Sequence, residues 1–131
     1  QIGFFDENFF LYLEEIDLCK RVKNINGKIY IDPNIEIFHL GAKSVNEIFS
    51  KQIELTRNWH WMWSLFYYNK KHSNFFFALM LISPKLFSAL FKILFYSIFP
   101  KAQKKEIYLK RISGLINSIL GKDSWYRPTL D

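Results

Sequence analysis

Cysteine is almost missing from this chain. The one present, Cys19, excludes an intrachain disulfide and a multi-cysteine zinc site, and it points to a reducing compartment. No Asp-x-Asp occurs anywhere. The N-terminus, Gln-Ile-Gly-Phe-Phe, has neither the basic n-region nor the small-residue cleavage site of a signal peptide. Without a starting methionine, the expectation is a fragment whose N-terminal part is missing. No internal repeat and no low-complexity linker is found. Residues 73–100 carry only two charges, Lys85 and Lys92, and their longest uncharged run, Ser73–Pro84, has 12 residues. That is short of the roughly 20 needed to span a bilayer. Acidic residues are outnumbered, 12 against 18 Lys and Arg.

What is abundant is aromatic surface. Half of the 131 residues are hydrophobic, 19% are aromatic, and 14 are Phe. Either a dense core or a membrane-facing surface must absorb them. The charge is split as well. Residues 1–49 hold five Lys/Arg against eight Asp/Glu, a net −3, whereas residues 50–131 hold 13 against four, a net +9. An acidic front and a basic, aromatic back suggest separate tasks. A basic, aromatic surface suits an anionic membrane or a nucleic acid. The Phe content favours the membrane, and the absence of a recognisable nucleic-acid module argues against nucleic acid as a partner.

Residues 3–8 (GFFDEN) predict a turn, with Asp6 or Asn8 available to cap a helix over 9–25 that stops at Asn26-Gly27. Residues 28–32 (KIYID) and 35–40 (IEIFHL) alternate as short strands around a Pro33-Asn34 turn, and 41–44 is a loop. A long helix is expected over 45–72, capped by Ser44 or Asn46 with Glu47 in its first turn. It is rich in Trp and Tyr and ends in Lys70-Lys71-His72. Beyond Pro84, the residues Lys85, Ser88, Lys92 and Tyr96 share a narrow face, with Leu, Phe and Ile elsewhere. This suits a helix lying in the membrane interface, with lysines toward headgroups and Phe toward acyl chains. A buried or partner-facing helix and a true span remain open. Residues 101–120 make a further basic amphipathic helix, ended by Gly121.

The acids at 14, 15 and 17 follow an aromatic run in FFLYLEEIDLCKR, residues 9–21. Helical spacing puts Glu15, Leu18 and Val22 on one stripe, and Glu14, Asp17 and Arg21 on the next. Glu15 at the head of an apolar stripe is expected to point inward or into a cleft, where a carboxylate can act as a general base. The plainer reading is a helix with first-turn acids complementing its dipole. His39, at the end of an apolar strand, is by itself a partly buried strand histidine. Beside a carboxylate cluster it becomes a candidate ligand for Mg2+ or Mn2+.

The segment GFFDENFFLYLEEIDLCKRVKNINGKIYIDPNIEIFHLGAKS resembles the C-terminal end of the catalytic domain of family 2 glycosyltransferases, in particular the rhamnosyltransferase-like group of bacterial polysaccharide synthesis. That group typically reads G-G-F-D-E-x-F-F-x-Y-x-E-D-x-D-L-C-x-R, then G-x-K-I-x-x-x-P, then H-x-x-G-x-S. The match extends over about 44 positions. Later, RNWHWMWSLFYYNKKH resembles the family's Arg-Asn aromatic helix, and SGLINSILGKDSWYRPTLD its W-Y-R-P tail. The resemblance is weakest over 73–100.

The resemblance implies an α/β fragment of a GT-A nucleotide-sugar-binding domain over residues 1–44. A mostly α-helical, membrane-associating C-terminal region is expected over 45–131. It implies an inverting, metal-dependent hexosyltransferase of cell-envelope polysaccharide biosynthesis, peripheral on the cytoplasmic face of a bacterial membrane. Glu15 stands at the catalytic base, where the family usually has aspartate, and Glu14 at the acid before it. His39 would help hold a divalent metal on the donor diphosphate. Asp17 and Arg21 fall at positions that are structural or border the acceptor. The partners implied are a nucleotide-sugar donor and a lipid-linked or polysaccharide acceptor. Rhamnose is the nearest donor sugar, with other hexoses open. The family's Asp-x-Asp should lie upstream, so the chain alone is expected to be inactive. The alternative from a different class is a non-catalytic membrane-peripheral module whose acids merely cap a helix. In it, Lys85 and Lys92 contact the membrane.

Overall fold

The structure, a computed structural model, describes residues 2–38, 49–99 and 101–127. Within them four helices follow one another: α1, Glu14–Asn24; α2, Ser50–His72; α3, Phe75–Ile98; and α4, Ala102–Ile119. The helices expected over 45–72, 73–100 and 101–120 correspond to α2, α3 and α4. Ser44, Asn46 and Glu47, expected at the start of α2, lie outside the described residues.

The α/β architecture expected for the front of the chain is not what forms. Among the described residues there is no strand, and the fold is all-helical. KIYID and the described part of IEIFHL have the alternation of strands but no ladder partner for their backbone groups. Their apolar side chains face outward, with Ile31 91% and Phe38 89% exposed. A strand is stable only when paired, and an isolated pair of short strands is marginal in water. Asp32 instead closes a turn: its carboxylate accepts from the Asn34 backbone N–H at 2.9 Å, and its carbonyl accepts from the Ile35 N–H at 3.3 Å.

The core lies where α2, α3 and α4 meet. Met62 and Phe66 of α2 pack with Ala78 and Ile82 of α3 and with Leu115 of α4. The C-terminal half of α2 thus meets the N-terminal half of α3. Tyr96 near the end of α3 stacks on Tyr108 near the start of α4 (centroids 6.0 Å apart), so successive helices run antiparallel. The α2–α4 crossing is unusually close. A Cβ placed on Gly114 would sit 2.2 Å from the Trp59 carbonyl oxygen. The side chains around this crossing are cross-bonded. Trp59 Nε1 donates to Ser113 Oγ at 3.2 Å, Trp63 Nε1 to the Lys122 carbonyl at 2.9 Å, and Ser118 Oγ to the Trp63 carbonyl at 2.9 Å.

Local chemistry explains the helix ends. The α1 terminus is a Schellman motif: Gly27 N–H bonds the Val22 carbonyl and Asn26 N–H the Lys23 carbonyl. Asn26, not Gly27, takes the left-handed position, with φ 59°. Gly27 is needed for another reason, since a Cβ there would meet the Val22 side chain at 2.6 Å. Asn74 caps α3 by accepting from the Phe77 N–H at 2.8 Å. Pro84 sits inside α3 and cannot donate to the Met80 carbonyl. Ser83 Oγ donates to that carbonyl instead, at 2.8 Å, so the helix continues through the proline.

Candidate functional site

The acids of FFLYLEEIDLCKR are placed by the aromatics before them. Helix formation does not begin at residue 9, as periodicity suggests, but at Glu14, and residues 9–12 run along α2. Phe9 meets Tyr67 edge-on at 4.9 Å, Phe10 packs on His60 at 4.8 Å, and Tyr12 meets Trp61 edge-on at 5.5 Å. The Leu11 carbonyl accepts from Ser64 Oγ at 2.7 Å, and Tyr12 Oη from Arg57 Nε at 3.2 Å. The residues receiving this segment, 57, 60, 64, 67 and 71, form one stripe of α2 at spacings of three and four. The opposite stripe, Leu55, Trp59, Met62 and Phe66, faces the core. α2 therefore packs on two sides, a polar stripe for the front of the chain and an apolar one for the other helices.

Asp6 does not cap α1. It forms its own turn, accepting from the Asn8 backbone and side chain at 3.0 and 2.7 Å. The residue preceding the helix is Leu13, and no side chain caps that end. Tyr12 and Leu13 are both left-handed, with φ 70° and 72°. For bulky L-residues this costs of order 1–3 kcal/mol each and persists only where the surroundings enforce it. The bonds from Ser64 and Arg57 on one side of this bend, and the ion cluster of Asp17 on the other, enforce it. The strained bend turns the chain off α2 and starts α1 at the two glutamates.

Asp17 is the buried anchor of α1, with no exposed surface. It accepts from Arg21 Nε at 2.8 Å, Lys71 Nζ at 2.7 Å and His72 Nε2 at 2.8 Å. Burial works to raise its pKa, but these three donors outweigh burial and hold the carboxyl below its ordinary range. Lys71 also reaches Asp6 at 2.7 Å, and Tyr67 Oη donates to Asp6 at 3.0 Å. Burial opposes ionisation of Asp6 too, yet Lys71, Asn8 and Tyr67 bring it down to about 2. The same contact, added to burial, pushes the Tyr67 hydroxyl up to about 12. Arg21 ties the cluster back to the front of the chain by donating to the Ile2 carbonyl and, at 2.6 Å, to the Phe4 carbonyl.

The inward face of α1 is thus the Asp17–Arg21 stripe, and the expected inward orientation of Glu15 does not form. Glu15 is exposed, and Glu14 is half-buried with Oε2 enclosed and lacking a hydrogen-bond partner. The Asp17–Arg21 pairing was legible from i,i+4 spacing. Lys71, His72 and Asp6 were not, because they arrive from α2 and the N-terminal turn, and no local pattern marks them. His39 lies outside the described residues. Among the described residues no three His, Cys, Asp or Glu side chains come together as a cation cage, and the acids nearest Glu14 are already neutralised by Arg21 and Lys71.

Lys85 is exposed and Lys92 half-buried. Lys92 lies over the Tyr108 ring of α4 at 4.9 Å, and Lys85 lines a cavity between α2, α3 and α4. The Phe, Leu and Met residues of α3 face outward instead. α3 has 24 residues, about 36 Å of helix. It is long and apolar enough to cross a membrane, and its most apolar stretch is only 17% buried.

No family model matches the chain, and neither a curated protein nor a solved structure matches it. The functional reading therefore rests on the residues and their geometry.

Proposed function

We propose that this chain is the membrane-docked part of an inverting glycosyltransferase. In this reading Glu15, at the start of α1, takes the proton from an acceptor hydroxyl as that oxygen attacks the anomeric carbon of a nucleotide-diphosphate sugar. Glu14 stands beside it as the acid that precedes the base. The observation that carries the reading is the division among the acids of α1. Asp17 is consumed by three donors while Glu14 and Glu15 are left uncommitted at the helix start. That is the assignment the motif resemblance implies, with Asp17 and Arg21 structural and Glu15 the base. A base must be reachable by substrate, and an exposed carboxylate at a strained, braced turn is both reachable and positioned. The acceptor is lipid-linked or a polysaccharide, the donor sugar is rhamnose or another hexose, and the location is the cytoplasmic face of the cell membrane.

Membrane docking in this proposal falls to α3. Its exposed Phe76, Phe87, Phe91, Phe95 and Phe99 form an apolar surface too large for water. Lys70 precedes it and Lys101, Lys104 and Lys105 follow it, which complements anionic headgroups. In this reading α3, with one stripe packed on α2 and α4, lies along the interface.

The test is sugar transfer by the protein expressed from its own reading frame, whatever its extent, with labelled nucleotide sugars and membranes as acceptor source. Glu15→Gln should lower transfer by about 100-fold or more, the usual contribution of a general base. A Glu15→Gln protein with near-normal transfer removes the base assignment. The exposed face of α3 by itself also supports the second reading, a non-catalytic membrane-peripheral module. Vesicle binding by a wild type that transfers no sugar would select it.

A further inference from the structure

Along α3 the residues turned toward the other helices follow a 4-3-4-3-4 spacing: Ala78, Ile82, Lys85, Ala89, Lys92 and Tyr96. Along α4 the matching row is Tyr108, Arg111, Leu115 and Ser118. Such rows form the seam between packed helices and are normally apolar. Here one end is apolar, with Ala78 and Ile82 against Leu115, Met62 and Phe66. The other end is cationic. Lys85 of α3 and Arg111 of α4 face a common cavity of about 260 Å³, together with Ser88, Tyr108 and Trp61. Lys85 is exposed and Arg111 half-buried, so both are open to an anion that could answer them. None does among the described residues: Lys85, Lys92 and Arg111 form no ion pair there. Arg111 donates to the neutral Asn58 side chain at 2.7 Å and lies over the Tyr108 ring, as does Lys92. The nearest acid on α4, Glu106, is engaged by Lys51 at 2.7 Å.

We propose that this cavity binds the phosphate of an anionic membrane lipid. The guanidinium of Arg111 offers a planar pair of donors and Lys85 a point charge, the two devices by which proteins hold phosphate. Ser88 and Tyr108 add hydroxyl donors. Two arguments select a lipid. The wall of the cavity formed by α3 is the inner side of the same helix that exposes Phe87 and Phe91, so a headgroup seated there leaves its acyl chains beside an apolar surface. Trp61 and Tyr108 are aromatic residues with polar tips, which suit the boundary between acyl chains and water. The inference rests on α3 docking to the bilayer.

The experiment measures binding of the full chain to phosphatidylcholine vesicles with and without phosphatidic acid. At roughly fivefold in affinity per cation near an anionic surface, Lys85→Gln/Arg111→Gln should bind phosphatidic acid vesicles roughly 25-fold more weakly. It should bind neutral vesicles like wild type. Lys20→Gln/Lys23→Gln, which removes the same charge from exposed positions of α1, should lose far less. The charge-keeping Lys85→Arg/Arg111→Lys pair should stay within a few-fold of wild type, and far-UV circular dichroism checks that each variant is folded. Equal losses in the two charge-removing variants, or equal wild-type binding to neutral and anionic vesicles, overturn the site. Inorganic phosphate without vesicles is the second arm. If it protects Lys85 from an amine-reactive reagent as fully as phosphatidic acid vesicles do, the occupant is a free anion and not a lipid. Failure of wild type to bind any vesicle removes the docking reading itself, and with it the lipid as occupant.

Discussion

Replacing Asp17 with asparagine tests how α1 is held. The carboxylate is fully buried and receives Arg21, Lys71 and His72 at 2.7–2.8 Å. His72 donates from Nε2, because an ionised carboxylate only accepts. An amide of the same shape turns one acceptor oxygen into a donor facing other donors, and leaves the cluster with one uncompensated positive charge. Removing one partner of a buried ion pair typically costs ~3–5 kcal/mol. Here the low end applies, because the Arg21 and Lys71 side chains keep 20% and 27% exposure and can turn toward water. A loss of about 3 kcal/mol is a large part of the 5–15 kcal/mol available to a domain of this size. It should lower the melting temperature by about 10 °C. The assay is a far-UV circular dichroism melt in mild detergent, which shields α3. Adding Lys71→Met to Asp17→Asn removes the excess charge. The double variant should therefore be less destabilised than the sum of the single variants. An Asp17→Asn protein melting within about 2 °C of wild type would refute the ionic anchoring of α1.

Gly114→Ala should destabilise by about 1–3 kcal/mol despite the better helix propensity of alanine, because its Cβ meets the Trp59 backbone and not a side chain that can swing away. A melt at or above wild type would show that α2 and α4 do not cross so closely. The pH profile of the same melts has two predicted slopes. Asp6 has a folded pKa of about 2 against an ordinary 3.8, so its contribution is complete above about pH 4 and is lost as pH falls through about 2. The shift of roughly two units corresponds to about 2–3 kcal/mol, and Asp6→Asn should flatten that region. Burial lowers the pKa of His60 below its ordinary 6.5, against the Tyr126 carbonyl that it faces, and the Arg127 charge lowers it further. The unfolded chain therefore takes up the proton first, and stability should decline as pH falls below about 6.5. His60→Gln, which keeps a donor to the Tyr126 carbonyl, should remove that slope.

The helical part of the chain was legible because its signals are local. A 3.6-residue period and a glycine after Leu120 mark these helices without reference to anything distant. The strands expected over 28–40 were misjudged for the converse reason. KIYID has the right alternation, but a strand is a property of two segments, and residues 28–38 meet no partner among the described residues. The start of α1 shows a third case. Periodicity alone extends the helix back to residue 9, yet Phe9, Phe10 and Tyr12 are held by α2, and the bend at Tyr12–Leu13 is the consequence.

The same distinction separates the acids. Spacing identified the Asp17–Arg21 pair, which lies within one helix, but it assigned the inward role to Glu15 because Leu18 and Val22 follow on that stripe. That assignment assumes burial is driven by apolar area. At α1 it is driven by charge, since Lys71 and His72 at the end of α2 present donors that only a carboxylate can satisfy, and they draw Asp17 inward through a rotation that carries Glu15 into solvent. A basic run at a helix end, followed in space by an acid 55 residues away, leaves no trace in either local pattern. The anchoring acid and the free acid therefore separate only once α1 is seated on α2, and the seating makes the proposed base accessible.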